Sequence, residues 1–261
     1  MAQRSFLATI RLALLLAVLA FVALGAWLDR RRSTDWDGTL RVTIYPLAAS
    51  GDAATRGYLS GLDSGDFDDL EDFFSEEAAR HGVSLAEPVR VRLSRAATRL
   101  PPLPEADAGA IGIAAWSLRF RYWAWRVAAQ DPLPSPDIQV FAIYHESDGG
   151  PALPDSLGLS KGLMAIAHLY GDRGADGGNL VVVAHELLHT LGATDKYDRA
   201  TLQPHEPDGL GEPDRSPPYP QDYAEVMAGR IALSAREATI PEDLSQVVVG
   251  SVTAREIGWT Q

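Results

Sequence analysis

Residues 181–198 read VVVAHELLHTLGATDKYD, and they decide how the rest of the chain is read. His185, Glu186 and His189 stand in the order H-E-x-x-H, followed by Gly192 and Asp195. At 3.6 residues per turn the two histidines lie one above the other on a helical face, about 6 Å apart at Cα, so both imidazoles can address one ion. Glu186 lies about 100° round the helix, beside such an ion but poorly placed to bind it, which suits a general base. This is the spacing of a catalytic zinc site built on a helix. Gly177 and Gly178 break what precedes, Asn179 is the expected N-cap, and Gly192 can take the left-handed conformation that ends the helix and offers Asp195 to the metal. Val181, Val182, Val183, Leu187, Leu188 and Leu191 cover the other faces, so the helix is expected to be interior. Burying two imidazoles and a carboxylate there without partners would cost several kcal/mol, and a bound metal removes that cost.

The pattern H-E-x-x-H-x-x-G-x-x-D resembles the zinc signature of the metzincin peptidases, in the variant of snapalysin-like enzymes where Asp replaces the third His. The continuation Asp195-Lys196-Tyr197-Asp198 is similar to that of immune-inhibitor-A-like peptidases. The resemblance is specific over these 18 or so residues. It implies a Met-containing turn beneath the zinc, for which residues 223–229, YAEVMAG, with Met227, are the match. Several metzincins carry a Tyr two residues after that Met; here the position is Gly229, and Tyr197 or Tyr223 is left to take the role. The resemblance also implies that the strand before the zinc helix is the sheet edge that receives the substrate, here Gly162-Leu163-Met164-Ala165-Ile166-Ala167-His168.

The chain has 261 residues, no cysteine and a net charge of −12. Disulfides, thiolate ligands and a cysteine nucleophile are excluded. Residues 1–32 hold five Arg and one Asp, net +4, which leaves −16 on the remainder. A body this acidic repels a phosphate backbone and is not expected to bind nucleic acid; it attracts cationic peptides or divalent ions. Residues 12–28 carry no charge and are flanked by arginines, so residues 1–32 are read as a signal peptide or a transmembrane signal-anchor. That reading places residues 33–261 outside the cytoplasm, membrane-anchored or, if the segment is cleaved, secreted.

Before the zinc helix, residues 39–46, 89–93, 137–145 and 162–170 read as strands. Residues 67–80 and 108–129 read as helices, the first with a solvated acidic face and the second as a core helix showing Arg119, Arg121 and Arg126 to water. His168 reads as a strand histidine rather than a ligand. Residues 171–179, rich in Gly and holding two carboxylates, are a low-grade calcium candidate, since the regular ligand repeat is missing. Residues 195–222 form a long Pro-rich loop containing Asp198 and His205, the rivals to Asp195 as third ligand. Residues 242–259 read as a closing helix.

The expected fold is an α/β (α+β) domain at 33–261: a mixed, twisted sheet of four to five strands with packing helices, the zinc helix, the Met-turn and a C-terminal helix, divided into an upper part at 33–192 and a lower part at 193–261. The expected activity is zinc-dependent peptide-bond hydrolysis, with His185, His189 and Asp195 as ligands and Glu186 as base. A non-catalytic envelope protein with a structural zinc, and a zinc hydrolase acting on a non-peptide amide, are the alternatives.

Overall fold

The computed structural model describes residues 34–105, 109–147, 153–159 and 163–260. Five strands make the main sheet: β1 (Leu40–Ala48), β2 (Val89–Leu93), β3 (Ile138–His145), β4 (Leu157–Leu159) and β5 (Met164–Tyr170). Their order across the sheet is β2-β1-β3-β5-β4, with the first four parallel and β4 antiparallel on the outer side of β5. Parallel neighbours need crossover connections. The chain provides them as α1 (Ala53–Ser60) and α2 (Asp68–Arg80) between β1 and β2, and α3 (Ala110–Gln130) between β2 and β3.

Helices cover both faces, which is why β1, β3 and β5 are apolar on nearly every residue rather than on alternate ones. On one face α2 and α4 (Asp176–Leu191) pack against Val42, Ile44, Val140, Ala142, Ala165 and Ala167. On the other, Trp116, Phe120, Ala124 and Val127 of α3 meet Tyr45, Phe141, Ile143 and Ile166. Leu70, Phe73, Phe74, Glu77 and Ala78 of α2 face inward at helical spacing, which leaves most of its acids in water as expected. Glu77 is the exception: it is buried and accepts from Val249 N and from Arg80.

The lower part is built from short pieces. β6 (Ala224–Glu225) pairs in parallel with β9 (Val247–Val248), and β7 (Ile231–Ala232) pairs antiparallel with β8 (Ala238–Thr239). The closing segment ends in α5 (Ser251–Glu256).

Four expectations need correction. The strand expected as the substrate edge, 162–168, is not an edge: β5 lies between β3 and β4, and β4 takes the outer position. Gly162 lies outside the described residues, Leu163 sits in a turn with φ 51°, and Met164, Ala165, Ile166, Ala167 and His168 are all buried. The segment 242–259 is not one helix but a 3-10 turn, β9 and a six-residue α5, because the β-branched run at Val247, Val248 and Val249 favours extended chain. The metal helix starts at Asp176, so Asn179 lies in its first turn. There Asn179 pairs with Tyr170 N and O instead of capping. The membrane-spanning expectation has no counterpart, since among the described residues no helix is long and apolar enough to cross a membrane. Residues 1–32, on which it rested, lie outside the described residues.

Of the apolar residues of α3, one set is buried and another, with Leu118, Tyr122 and Trp125, faces out. Phe120→Ala is expected to cost about 3–5 kcal/mol in chemical denaturation, whereas Leu118→Ala, one turn-face away and 70% exposed, should stay within about 0.5 kcal/mol. Equal costs would mean that α3 packs in another rotation.

Candidate metal centre

The helix α4 delivers His185 and His189 from successive turns, with ring centroids 4.6 Å apart and planes at 86°. Each ring is fixed by its far nitrogen. His185 Nδ1 lies 2.9 Å from Val226 O, and His189 Nδ1 lies 2.9 Å from Ala193 O. A carbonyl oxygen can only accept, so both Nδ1 atoms carry the proton and both Nε2 lone pairs are free to bind a metal.

The Nε2 atoms converge on Asp195. Its Oδ1 stands 3.4 Å from His185 Nε2 and 3.0 Å from His189 Nε2. One ligand atom from each of the three residues lies within 4.8 Å of the others, and among the described residues this is the one such group of three. Asp195 Oδ1 is buried and has no hydrogen-bond partner there, although it is the atom that faces both imidazoles. An unpaired carboxylate oxygen opposite two imidazole lone pairs is costly unless a cation lies among them. The cluster therefore fits a metal ion by both donor type and orientation.

Asp195 reaches this place through the turn that ends α4. Gly192 takes φ 106°, and its N–H and that of Ala193 return to His189 O and Leu188 O, closing the helix and aiming Ala193 O at His189. The next residues are clamped to α5. Glu256 accepts from Thr194 N and Oγ1 and from Lys196 Nζ at 2.7 Å, and Lys196 is buried. Asp195, between Thr194 and Lys196, is thereby held from both sides. Its second oxygen, Oδ2, pairs with Arg199 at 3.0 Å.

Met227 is fully buried in a tight turn whose preceding residue, Val226, bonds His185 through its carbonyl. The turn is organised by Glu225, also fully buried, whose carboxylate accepts from Met227 N, Ala228 N, Gly250 N and Thr253 Oγ1. Val226 O, from inside this turn, is the acceptor that orients His185.

Glu186 points into the cleft beside the cluster. It is 4% exposed, its Oε2 lacks a hydrogen-bond partner among the described residues, and burial pushes its carboxyl up to about 7. Two adjoining cavities, of about 380 and 290 Å³, share Ser156, His185, Glu186, Tyr197 and Leu202. The first adds Asp155, Asp195 and Arg199; the second adds Val181, Val182, Ala228, Arg230 and Ile240. Leu202 holds a left-handed φ of 58°, a strained setting that places its side chain at the junction.

The structure thus brings His185, Glu186, His189 and Asp195 together, and puts Met227 in the buried turn whose Val226 O orients His185. It leaves the two rivals out. Asp198 Oδ1 caps a turn through Ala200 N and Thr201, and His205 is outside the ligand group. Tyr197 lines both cavities, while Tyr223 lines neither. His168 pairs with His145, 2.8 Å between ring nitrogens, away from the ligand group. The calcium candidate at 171–179 folds as a 3-10 turn and the start of α4: Asp172 caps Gly174 N, and Asp176 is taken by Tyr58 and Arg173. Sequence reading missed β4, whose Gly158 lies against α4. A Cβ there would collide with His189 Cβ and come within 2.9 Å of Glu186 O. It also missed Lys196–Glu256, Arg199 and Arg230, for which no local pattern exists.

No family model and no curated protein matches the chain. The metzincin resemblance rests on the motif residues.

Gly158→Ala is expected to cost about 1–3 kcal/mol and to weaken metal binding, because β4 must move off α4. Unchanged metal affinity would separate β4 from the site. The Glu256 clamp is sensitive to acid. Burial alone would raise its carboxyl, but Lys196 and Thr194 outweigh burial and hold it below 4.5. Its stabilisation is therefore complete above that value and is lost as the pH falls below it. Glu256→Ala, which leaves the Lys196 ammonium buried and unpaired, should cost about 3 kcal/mol at pH 7 and much less at pH 3. A pH-independent cost would remove the clamp from the account.

Proposed function

We propose that the chain is a zinc-dependent peptidase of the metzincin type, with His185, His189 and Asp195 holding the ion. The observation that carries this reading is the pairing of an unsatisfied Asp195 Oδ1, facing two oriented imidazoles, with an unsatisfied Glu186 Oε2 in the same open cleft. Two nitrogens and one carboxylate oxygen suit zinc, and three protein ligands on the floor of a cleft leave room for a further, exchangeable one. When bound, zinc supplies Lewis acidity, which polarises a carbonyl and makes water a better nucleophile at neutral pH.

The chain's own residues do the rest. Glu186 Oε2 takes the proton of the attacking water and gives it to the leaving amine, a role favoured by its burial, which raises its carboxyl. Tyr197, which lines both cavities, is the hydroxyl we assign to donate to the oxygen that gains charge. The substrate backbone would add to β4. That strand uses one side to pair with β5, lies at the edge of the sheet, and passes Gly158 directly over the helix that bears Glu186 and His189. The edge role thus moves from 162–168 to Leu157–Leu159. A peptide substrate is favoured over a small amide because β4, the last strand of the sheet among the described residues, lines the cleft with Leu157 and Gly158.

The test is metal content and hydrolysis on one set of proteins. Wild type should carry about one zinc per chain, lost in His189→Ala. Glu186→Ala should keep the zinc and lose peptide hydrolysis by about 10²–10⁴-fold. Full turnover in Glu186→Ala would remove Glu186 from the mechanism. Folded wild-type protein without zinc, and without affinity for it, would end the proposal.

A further inference from the structure

The two cavities that meet at Glu186 differ in chemistry. The first is walled largely by polar groups. The second, of about 290 Å³, is walled by Val181, Val182, Leu202, Ala228 and Ile240, and a single charged side chain, Arg230, joins Glu186 there. Acids outnumber bases by 35 to 23 in this chain. Arg41, Arg80, Arg90, Arg173, Arg199 and Arg215 each sit within ion-pair reach of a carboxylate. Arg230, like Arg92, is half-buried and makes no ion pair among the described residues; what sets it apart is its place on the wall of this cavity.

Its position is built in. The Met227 turn closes through Gly229 at φ 66°, and the backbone of Arg230 bridges back to Glu225, the buried hub of that turn. The next two residues form β7, which pairs with β8, and the residue after β8 is Ile240 of the cavity wall. One hairpin therefore presents both the guanidinium and part of the apolar wall. A guanidinium that borders an apolar cavity and lacks an internal carboxylate favours a carboxylate from outside, since the charge-assisted bond gains strength where water is partly excluded.

Resting on the peptidase reading, we propose that this cavity receives a substrate side chain with a short apolar stem and a terminal carboxylate, glutamate above all, and that Arg230 is the residue that selects it. The preference acts against the field of the whole molecule. A net charge of −12 slows the approach of acidic peptides, so the selection is local and survives added salt that screens the long-range repulsion.

The probes are three blocked pentapeptides, Ac-Ala-Ala-Xaa-Ala-Ala-NH2 with Xaa as Glu, Gln or Leu, titrated calorimetrically into zinc-loaded Glu186→Ala, which binds without turnover. Alanine elsewhere leaves each peptide free to find its own register. The Glu peptide should bind about tenfold more tightly than its Gln isostere, a gap that Arg230→Ala abolishes and Arg230→Lys partly keeps. The lysine variant separates loss of charge from misfolding. Equal affinity for Glu and Gln, or a Glu preference that persists in Arg230→Ala, overturns the proposal. A fourth probe, Ac-Ala-Ala-Ala-Ala-Ala with a free carboxyl terminus, distinguishes the two sources of carboxylate. If it alone shows the Arg230-dependent gain, the side-chain assignment falls. Absence of binding by every peptide also overturns the inference. In that case cleavage of an unbiased peptide library by wild type, absent in Glu186→Ala, leaves the peptidase reading standing on its own.

Discussion

The site depends on how abruptly α4 stops. Two imidazoles one turn apart can point their Nε2 atoms at a common place only if each ring is held by Nδ1, and for His189 the holding group is Ala193 O, four residues on. A helix continuing past Leu191 would commit that carbonyl to the hydrogen-bond ladder and carry Asp195 away along the axis. Gly192 prevents this by taking φ 106°, a conformation that costs other residues roughly 1 kcal/mol or more. One glycine thereby ends the helix, supplies the acceptor for one ligand and reverses the chain to deliver another.

Around this turn the lower part is held by its share of the main core, with Val226, Met227, Val249, Ile257 and Trp259, and by carboxylates that tie its pieces together. Glu225 gathers four donors from the Met227 turn and from the chain around Gly250 and Thr253. Glu77 reaches from α2 to Val249 N, and Glu256 ties α5 to both neighbours of Asp195. The strands here are only two residues long and cannot fix loop positions by ladder bonds alone. Carboxylates that accept several N–H bonds do that work instead, each joining pieces far apart in sequence. Part of the chain's acidity is thus internal scaffolding rather than surface charge.

This division explains what was legible beforehand. The strands of the main sheet, α2, α3 and α4 announce themselves through local periodicity, and the ligands lie within eleven residues of one another, so helical geometry alone relates His185, Glu186 and His189. Asp195 and Met227 were reachable through the motif and its resemblance. What stayed hidden is non-local. Nothing in Leu157-Gly158-Leu159 signals that a three-residue strand would cover β5 and displace the expected edge. The burial of Lys196 depends on Glu256, 60 residues away. Nothing local marks Arg199 or Arg230 as residues that the fold brings to the cleft.

The choice of a carboxylate as third ligand has an electrostatic consequence that Arg199 modifies. Compared with a third imidazole, Asp195 would bring a full negative charge to an ion held there and would reduce that ion's pull on a carbonyl. Its two oxygens, however, do different work: Oδ1 faces the histidines while Oδ2 is paired with the Arg199 guanidinium at 3.0 Å. That pairing leaves one oxygen available to a metal and draws charge toward the solvent side, so as a ligand Asp195 would behave more nearly as a neutral donor. Arg199 is 84% exposed, which screens the effect and makes it modest. The cleft is then asymmetric by construction, with one guanidinium spoken for by a ligand on the polar side and another free on the apolar side.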